Sequence, residues 1–135
     1  LKREFSIPLR EDIETALEKF RGVIKQIPPQ FSAVKSKGRK AYEAARAGEK
    51  VELEAREILI TKLETIWYKF PLLTLDVACG SGTYIRSLAR DLGKILGTGA
   101  ILTHLRREAI GPYCLKDAVE FTKLNSKNWR ESVLS

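Results

Sequence analysis

The sequence has no methionine, a single histidine and only two cysteines in 135 residues. Two cysteines, Cys79 and Cys114, cannot build a disulfide framework or a four-ligand zinc site from this chain alone. Cys79 lies in an apolar run and is read as a core thiol. His104 sits on a helix-like flank with no Cys or Asp at ligand spacing, so no metal site is expected. No apolar run approaches the ~20 residues of a membrane span, and the opening LKREFSIPLRED lacks the apolar centre of a signal peptide. A cytoplasmic protein without a membrane partner is the expectation. An acidic solvating tail is excluded, because Lys and Arg number 24 against 17 Asp and Glu. The absent methionine, with leucine at position 1, leads to the expectation that the chain is a piece of a longer protein.

What is present is enough for one domain with a buried core: 44% of the residues are hydrophobic. The formal charge of +7 favours an anionic partner. It is not spread evenly. Residues 19–50 are net +7 and residues 83–107 net +4, while the rest of the chain is neutral or acidic. The first cluster interleaves Lys35, Lys37, Arg39, Lys40 and Arg46 with Phe31 and Tyr42; the second holds Arg86, Arg90, Arg106 and Arg107. Cations mixed with aromatics suit phosphate contacts combined with base stacking, so RNA or DNA is the favoured partner.

The spacing of Ile13, Ala16, Leu17 and Phe20 predicts an amphipathic helix from Arg10 to Phe20, ended by Gly22. Ile24 to Gly48, punctuated by Pro28, Pro29, Gly38 and Gly48, reads as a long basic excursion dominated by loop, with a short helix in AYEAARAG. Glu57–Tyr68 and Leu72–Cys79 read as two strands around a turn at Phe70 and Pro71, an antiparallel hairpin. After Gly80-Ser81-Gly82, Thr83 is the expected N-cap of a helix with the apolar stripe Ile85, Leu88, Ala89, Leu92 and Leu96, stopped by Gly97. A short helix over 100–105, a strand over 109–113 and a final helix from Asp117 complete a mixed α and β pattern.

The strand, glycine turn and helix of LTLDVACGSGTYIRSLARDLG expose amides that favour an anion. The turn is no P-loop, since no Gly-Lys-Ser/Thr follows, and Ile85 occupies the third glycine position of the dinucleotide fingerprint. It resembles motif I of S-adenosylmethionine-dependent methyltransferases through Leu75, Asp76, Ala78, Cys79, Gly80 and Gly82. Ala78 replaces that motif's first glycine, and GAILTHLRREAIG does not match the second parallel strand ending in a ribose-holding acidic residue, so this alternative is remote.

Three blocks in order, IKQIPPQFSAVKSKGRKAYEAARAGEKVELEAREI, CGSGTYIRSLARDLGKILGTGA and LRREAIGPY, resemble the bacterial tRNA pseudouridine-55 synthases of the TruB family from about Phe20 to Tyr113. The resemblance implies an α+β fold, a pseudouridine-synthase-type core whose extended antiparallel sheet is flanked by helices and carries a basic RNA-binding insertion at about 24–52. The whole chain is then a partial catalytic domain. It also implies a T-loop uridine of tRNA as substrate, an aspartate nucleophile and no metal or redox cofactor.

The family's nucleophile lies in a GxLDPxATG-like motif followed by a stacking tyrosine, and neither occurs in this chain. Asp76, Asp91 and Asp117 sit in other contexts and are not nominated. The resemblance instead assigns Arg86, in GTYIR, as partner of the absent carboxylate, Tyr84 as lining of the uridine pocket and Leu105 as an apolar contact to the base. Lys35, Lys37, Arg39, Lys40 and Tyr42 fall in the family's RNA-closing segment, and Arg106 and Arg107 would add backbone contacts. The chain alone is therefore expected to be inactive, with tRNA and a second polypeptide carrying the missing N-terminal part as partners. A non-catalytic RNA-binding module is the alternative from a different class.

Overall fold

A computed structural model describes residues 4–33, 35–36, 39–48 and 52–126. The chain divides into two compact units, Leu1–Leu102 and Thr103–Ser135. The first unit is built on a three-stranded antiparallel sheet in the order β1-β4-β5, from β1 (Gly22–Gln26), β4 (Arg56–Lys69) and β5 (Leu72–Cys79). Two helices accompany it, α1 (Arg10–Glu18) and α3 (Ile85–Ile95).

The two long strands follow the expected hairpin, but β4 does not alternate inward and outward without interruption. Ile58 and Ile60 are buried, then Leu63. The register against β5 shifts between Ile60 and Lys62 and again between Thr65 and Trp67. Each bulge inserts one extra residue and moves the buried parity by one, so the inward set runs 58, 60, then 63, 65, then 68. Ile58, Ile60 and Leu63 meet Ile13, Ala16, Leu17 and Phe20 from α1 and its exit, and Leu88 and Leu92 of α3, in one core. Each such side chain contributes about 1.5–3 kcal/mol when fully removed from water.

Side chains fasten the edges of this layer. The guanidinium of Arg21 donates twice to the Leu63 carbonyl, at 3.2 and 2.8 Å, and the Tyr68 hydroxyl donates to Pro8 O at 2.6 Å. The Asp12 carboxylate accepts from the Leu9 amide at 2.8 Å, which satisfies one amide at the start of α1. The other sheet face stays open, exposing Val23, Leu59, Trp67 and Leu72. Among the described residues no strand pairs with the outer edge of β1 or β5.

Between β1 and β4, Lys35–Ser36 (β2) pairs with Arg39–Lys40 (β3), and Ala41–Arg46 forms the short helix α2. The basic excursion thus has more local structure than its punctuation suggested. Its first three residues, 24–26, belong to β1, which pairs with 56–60 of β4. That strand carries no clean alternation in sequence, because it ends on a buried glutamine.

In the second unit, β6 (Ala109–Ile110) and β7 (Tyr113–Cys114) form a two-residue hairpin, followed by 3-10 turns at Leu115–Asp117 and Phe121–Lys123. The expected helix over 100–105 does not form. Gly97 and Gly99 have left-handed φ values of +72° and +67°, and six residues after such a stop give too few hydrogen bonds to offset helix nucleation. The single strand expected over 109–113 is a hairpin turning at Gly111-Pro112, and the helix from Asp117 is replaced by the two short turns. Val119, Phe121 and Thr122 are weak helix formers, and Val119 and Phe121 are exposed, so no packed face supports a longer helix there. Cys79 is exposed rather than buried, because it ends β5 where the chain enters the exposed Gly80-Ser81-Gly82 turn, and Cys114 is half-buried.

Candidate functional site

The turn from β5 into α3 is where the fold concentrates its specific polar contacts. The Gly80 amide donates to Leu59 O at 2.8 Å, and Gly82 takes a left-handed φ of +82° that a side chain would resist. The helix begins one residue later than expected. Tyr84 is the N-cap residue, and Thr83 turns its hydroxyl back to Gly80 O at 2.9 Å instead of capping.

Opposite this turn, the segment that leaves β1 is fastened to the outer flank of α3. The Gln26 side chain donates to Tyr84 O at 3.1 Å and accepts from the Tyr84 amide at 2.8 Å. Ser87, fully buried, donates to Ile27 O at 2.8 Å, and Arg90 reaches the same carbonyl at 2.9 Å. Arg86 donates through Nη2 to Phe31 O at 2.8 Å. Five hydrogen bonds with residues 84–90 thus hold residues 26–31, which lead into the basic insertion. None of the three anchors Gln26, Ser87 and Arg90 was nominated from sequence. A polar residue's burial leaves no mark in composition, and Arg90 reads in sequence only as one cation of the second basic cluster.

Arg86 itself is exposed, and among the described residues Phe31 O is its one acceptor. A guanidinium has five N–H donors, so most of its hydrogen-bonding capacity and its charge stay available for a carboxylate. Tyr84 is half-buried, with its backbone fixed on both sides by Gln26. A cavity of about 320 Å³ adjoins the fastened segment, bordered by Lys25, Arg90, Asp91 and Lys94.

The two aspartates of this unit that were not nominated as nucleophiles are both ion-paired. Asp91 is chelated by Arg90 at 2.8 and 3.1 Å, and Asp76 meets Lys62 across β4 and β5. The hydrogen bond and charge of Asp76, with the Glu64 charge added, raise the Lys62 ammonium above its ordinary 10.5. Among the described residues no three His, Cys, Asp or Glu side chains converge on a common point as a metal would require.

Of the nominated RNA-facing residues, Lys37 lies outside the described residues; the backbone of Lys35 and Arg39 forms the small β2–β3 ladder, and Lys40 and Tyr42 begin α2. Leu105, Arg106 and Arg107 belong to the second unit, all exposed on irregular chain, with Arg106 paired to Glu108 at 3.0 Å. His104 lies beside them, in contact with the Thr103 hydroxyl at 3.2 Å.

An antiparallel sheet with helices packed on one face, and a glycine turn feeding a basic helix, is the pseudouridine-synthase type of mixed α and β fold. The antiparallel pairing of β4 and β5 is foreign to the parallel sheet that the methyltransferase reading requires. A chain in the crystal structure of a Cbf5-Nop10-Gar1 complex superposes with a TM-score of 0.67 at 27% identity, covering 87% of this chain and 31% of that one. The model for the N-terminal domain of TruB family pseudouridylate synthases matches residues 2–85, and that for the tRNA pseudouridylate synthase B C-terminal domain matches 86–135.

The chain belongs to the TruB family of pseudouridylate synthases. It is 48% identical over 115 residues to tRNA pseudouridine synthase B of Pseudomonas aeruginosa, covering 85% of this chain and 38% of the relative. Against the protein of the same name from Histophilus somni it is 54% identical over 112 residues, covering 83% and 36%. The chain therefore spans less than two fifths of the length of these curated relatives. The two family models meet between Ile85 and Arg86, inside the first turn of α3, whereas the compact unit continues to Leu102. Leu88 and Leu92, beyond that boundary, complete the core of the first unit.

Proposed function

We propose that the chain is part of a cytoplasmic tRNA pseudouridine synthase that isomerises a T-loop uridine, contributing the pocket arginine and RNA-binding surface rather than the nucleophile. Residues 1–135 form part of the catalytic domain, with about 24–52 as its RNA-binding insertion. The observation that supports this most is the coupling of Tyr84 and Arg86 to the segment leading into that insertion, in a chain of this family.

In the reaction an aspartate from outside this chain attacks the nucleoside, the bond between N1 and the ribose C1′ breaks, and the base turns so that C5 bonds to C1′. The hydrogen on C5 leaves as a proton, and N1 gains one. Arg86 holds the aspartate ionised and in line, through charge and a forked pair of donors. Tyr84 lines the pocket and Leu105 packs on the base. The uridine must first leave its stack, which costs a few kcal/mol. Contacts from Lys35, Lys37, Arg39, Lys40, Tyr42, Arg106 and Arg107 to phosphates and bases offset that cost. No metal or redox cofactor takes part; the partner is tRNA, and the aspartate motif lies outside residues 1–135.

Mixing the chain with that N-terminal part and a T-arm RNA tests the proposal. Pseudouridine is expected from the mixture and not from the chain alone. RNA binding by an assembled but inactive complex would instead establish the non-catalytic RNA-binding module.

A further inference from the structure

Gln26 is among the few buried polar side chains of the described structure, at 3% exposure, and it spends both ends of its amide on one distant residue. Its Oε1 accepts from the Tyr84 amide at 2.8 Å and its Nε2 donates to the Tyr84 carbonyl at 3.1 Å, so it pairs with Tyr84 as a neighbouring strand would. The mount beneath it is rigid, because Gln26 is the last ladder residue of β1 and pairs with Arg56 of β4. Tyr84 lies at the hinge of the turn, where the extended chain becomes helix, with φ −104° and ψ 111°. Without a partner its N–H has no place in the α3 ladder, since the first helical amides lack acceptors.

We infer that Gln26 is a positioning residue for the reaction: its amide brackets the Tyr84 backbone and thereby fixes where the Tyr84 ring and, two residues on, the Arg86 guanidinium stand. The inference rests on the proposed pseudouridine synthase reading and adds to it a residue 58 positions upstream that touches no reacting atom. The side chain length is specific. Asparagine is one methylene too short to span the same two groups from β1. Glutamate keeps the acceptor, but when ionised it faces the Tyr84 carbonyl with a second acceptor. Leucine removes both bonds at similar volume and leaves two backbone groups unpaired.

The test uses the chain fused behind an N-terminal part that carries the GxLDPxATG-like aspartate motif, with steady-state turnover of a T-arm RNA. Gln26→Leu is expected to lower kcat about 100-fold, the order of loss that an ångström of misplacement causes, with KM changed less than about 3-fold. Gln26→Glu, which retains one bond, should fall between it and the parent. Ile13→Val, a core substitution on α1, should lower the melting temperature with kcat unchanged, which separates positioning from general loss of stability. Should Gln26→Leu fail to fold, Gln26→Glu decides. Parental kcat in a folded Gln26 variant, or a loss seen only in KM, would overturn the inference while leaving the enzyme reading intact. An inactive parent fusion that is folded and binds RNA would overturn both.

Discussion

Arg86 and Arg90 leave one flank of α3 and end on backbone carbonyls of residues 27–31, whereas Arg106 and Arg107 stand exposed on irregular chain with Glu108 as the one ion-pair partner described. In sequence all four belong to the same basic cluster. In the structure they do different work. A cation that holds a carbonyl has a fixed place and can orient a second acidic partner, while a solvated cation adds long-range attraction that salt screens. Net charge alone therefore does not separate the fixed cations of the α3 flank from the solvated pair at 106 and 107.

The sharpest way to break this contrast is at Arg86. In the enzyme completed by its N-terminal part, Arg86→Ala should reduce kcat by about 10²–10³-fold, the usual loss for one preorganised electrostatic contact, and RNA affinity far less. Equal losses in both would put Arg86 in the same class as Arg106. Next in size is Gly93→Ala. A Cβ there would stand 2.3 Å from the Ala100 amide and 2.4 Å from the Gly99 carbonyl carbon, where the chain folds back after α3. Backbone cannot yield as a side chain tip can, so a loss of about 1–3 kcal/mol in denaturant unfolding is expected. Ser87→Ala, which leaves the Ile27 carbonyl to Arg90 alone, should cost about 1 kcal/mol in the same measurement.

The exposed pair should behave in the opposite way. Arg106→Ala and Arg107→Ala are expected to leave unfolding unchanged and to reduce the slope of log affinity against log salt by about 1 each. A change in stability without a change in slope would erase the contrast. The smallest effect belongs to the open sheet face. Asp76 raises the Lys62 ammonium above its ordinary 10.5, so the stabilisation from this pair is fully present below that pH and disappears as pH rises through the higher folded value. Lys62→Met should lower the melting temperature slightly at pH 7 and not at all once the lysine is neutral in both states.

How far the sequence reveals this molecule depends on which forces set each part. The helix at Arg10 and the hairpin of β4 and β5 follow from apolar period and turn residues, and both form where expected. So does α3, with its stripe of Leu88 and Leu92, although Thr83 serves the turn and not the cap. The family and the GTYIR turn are legible because residue identities at fixed spacing carry them. The anchoring of residues 26–31 is not, since it depends on a glutamine and a serine meeting carbonyls about 60 positions away. Chain beyond Gly97 is misread for a related reason: its apolar residues suggest packed helices, but Ile101, Leu105, Ile110, Tyr113 and Phe121 are all exposed.

The central claim, that this chain completes a uridine isomerase, is tested most directly by labelling the T-arm RNA with tritium at C5 of its uridines. Because C5 exchanges its hydrogen for the ribose C1′, each turnover releases one label to water. Release is predicted when the chain and the aspartate-bearing part are combined, without S-adenosylmethionine, and it should vanish with Arg86→Ala. No release from a folded, RNA-bound complex, or release that requires S-adenosylmethionine, would contradict the account.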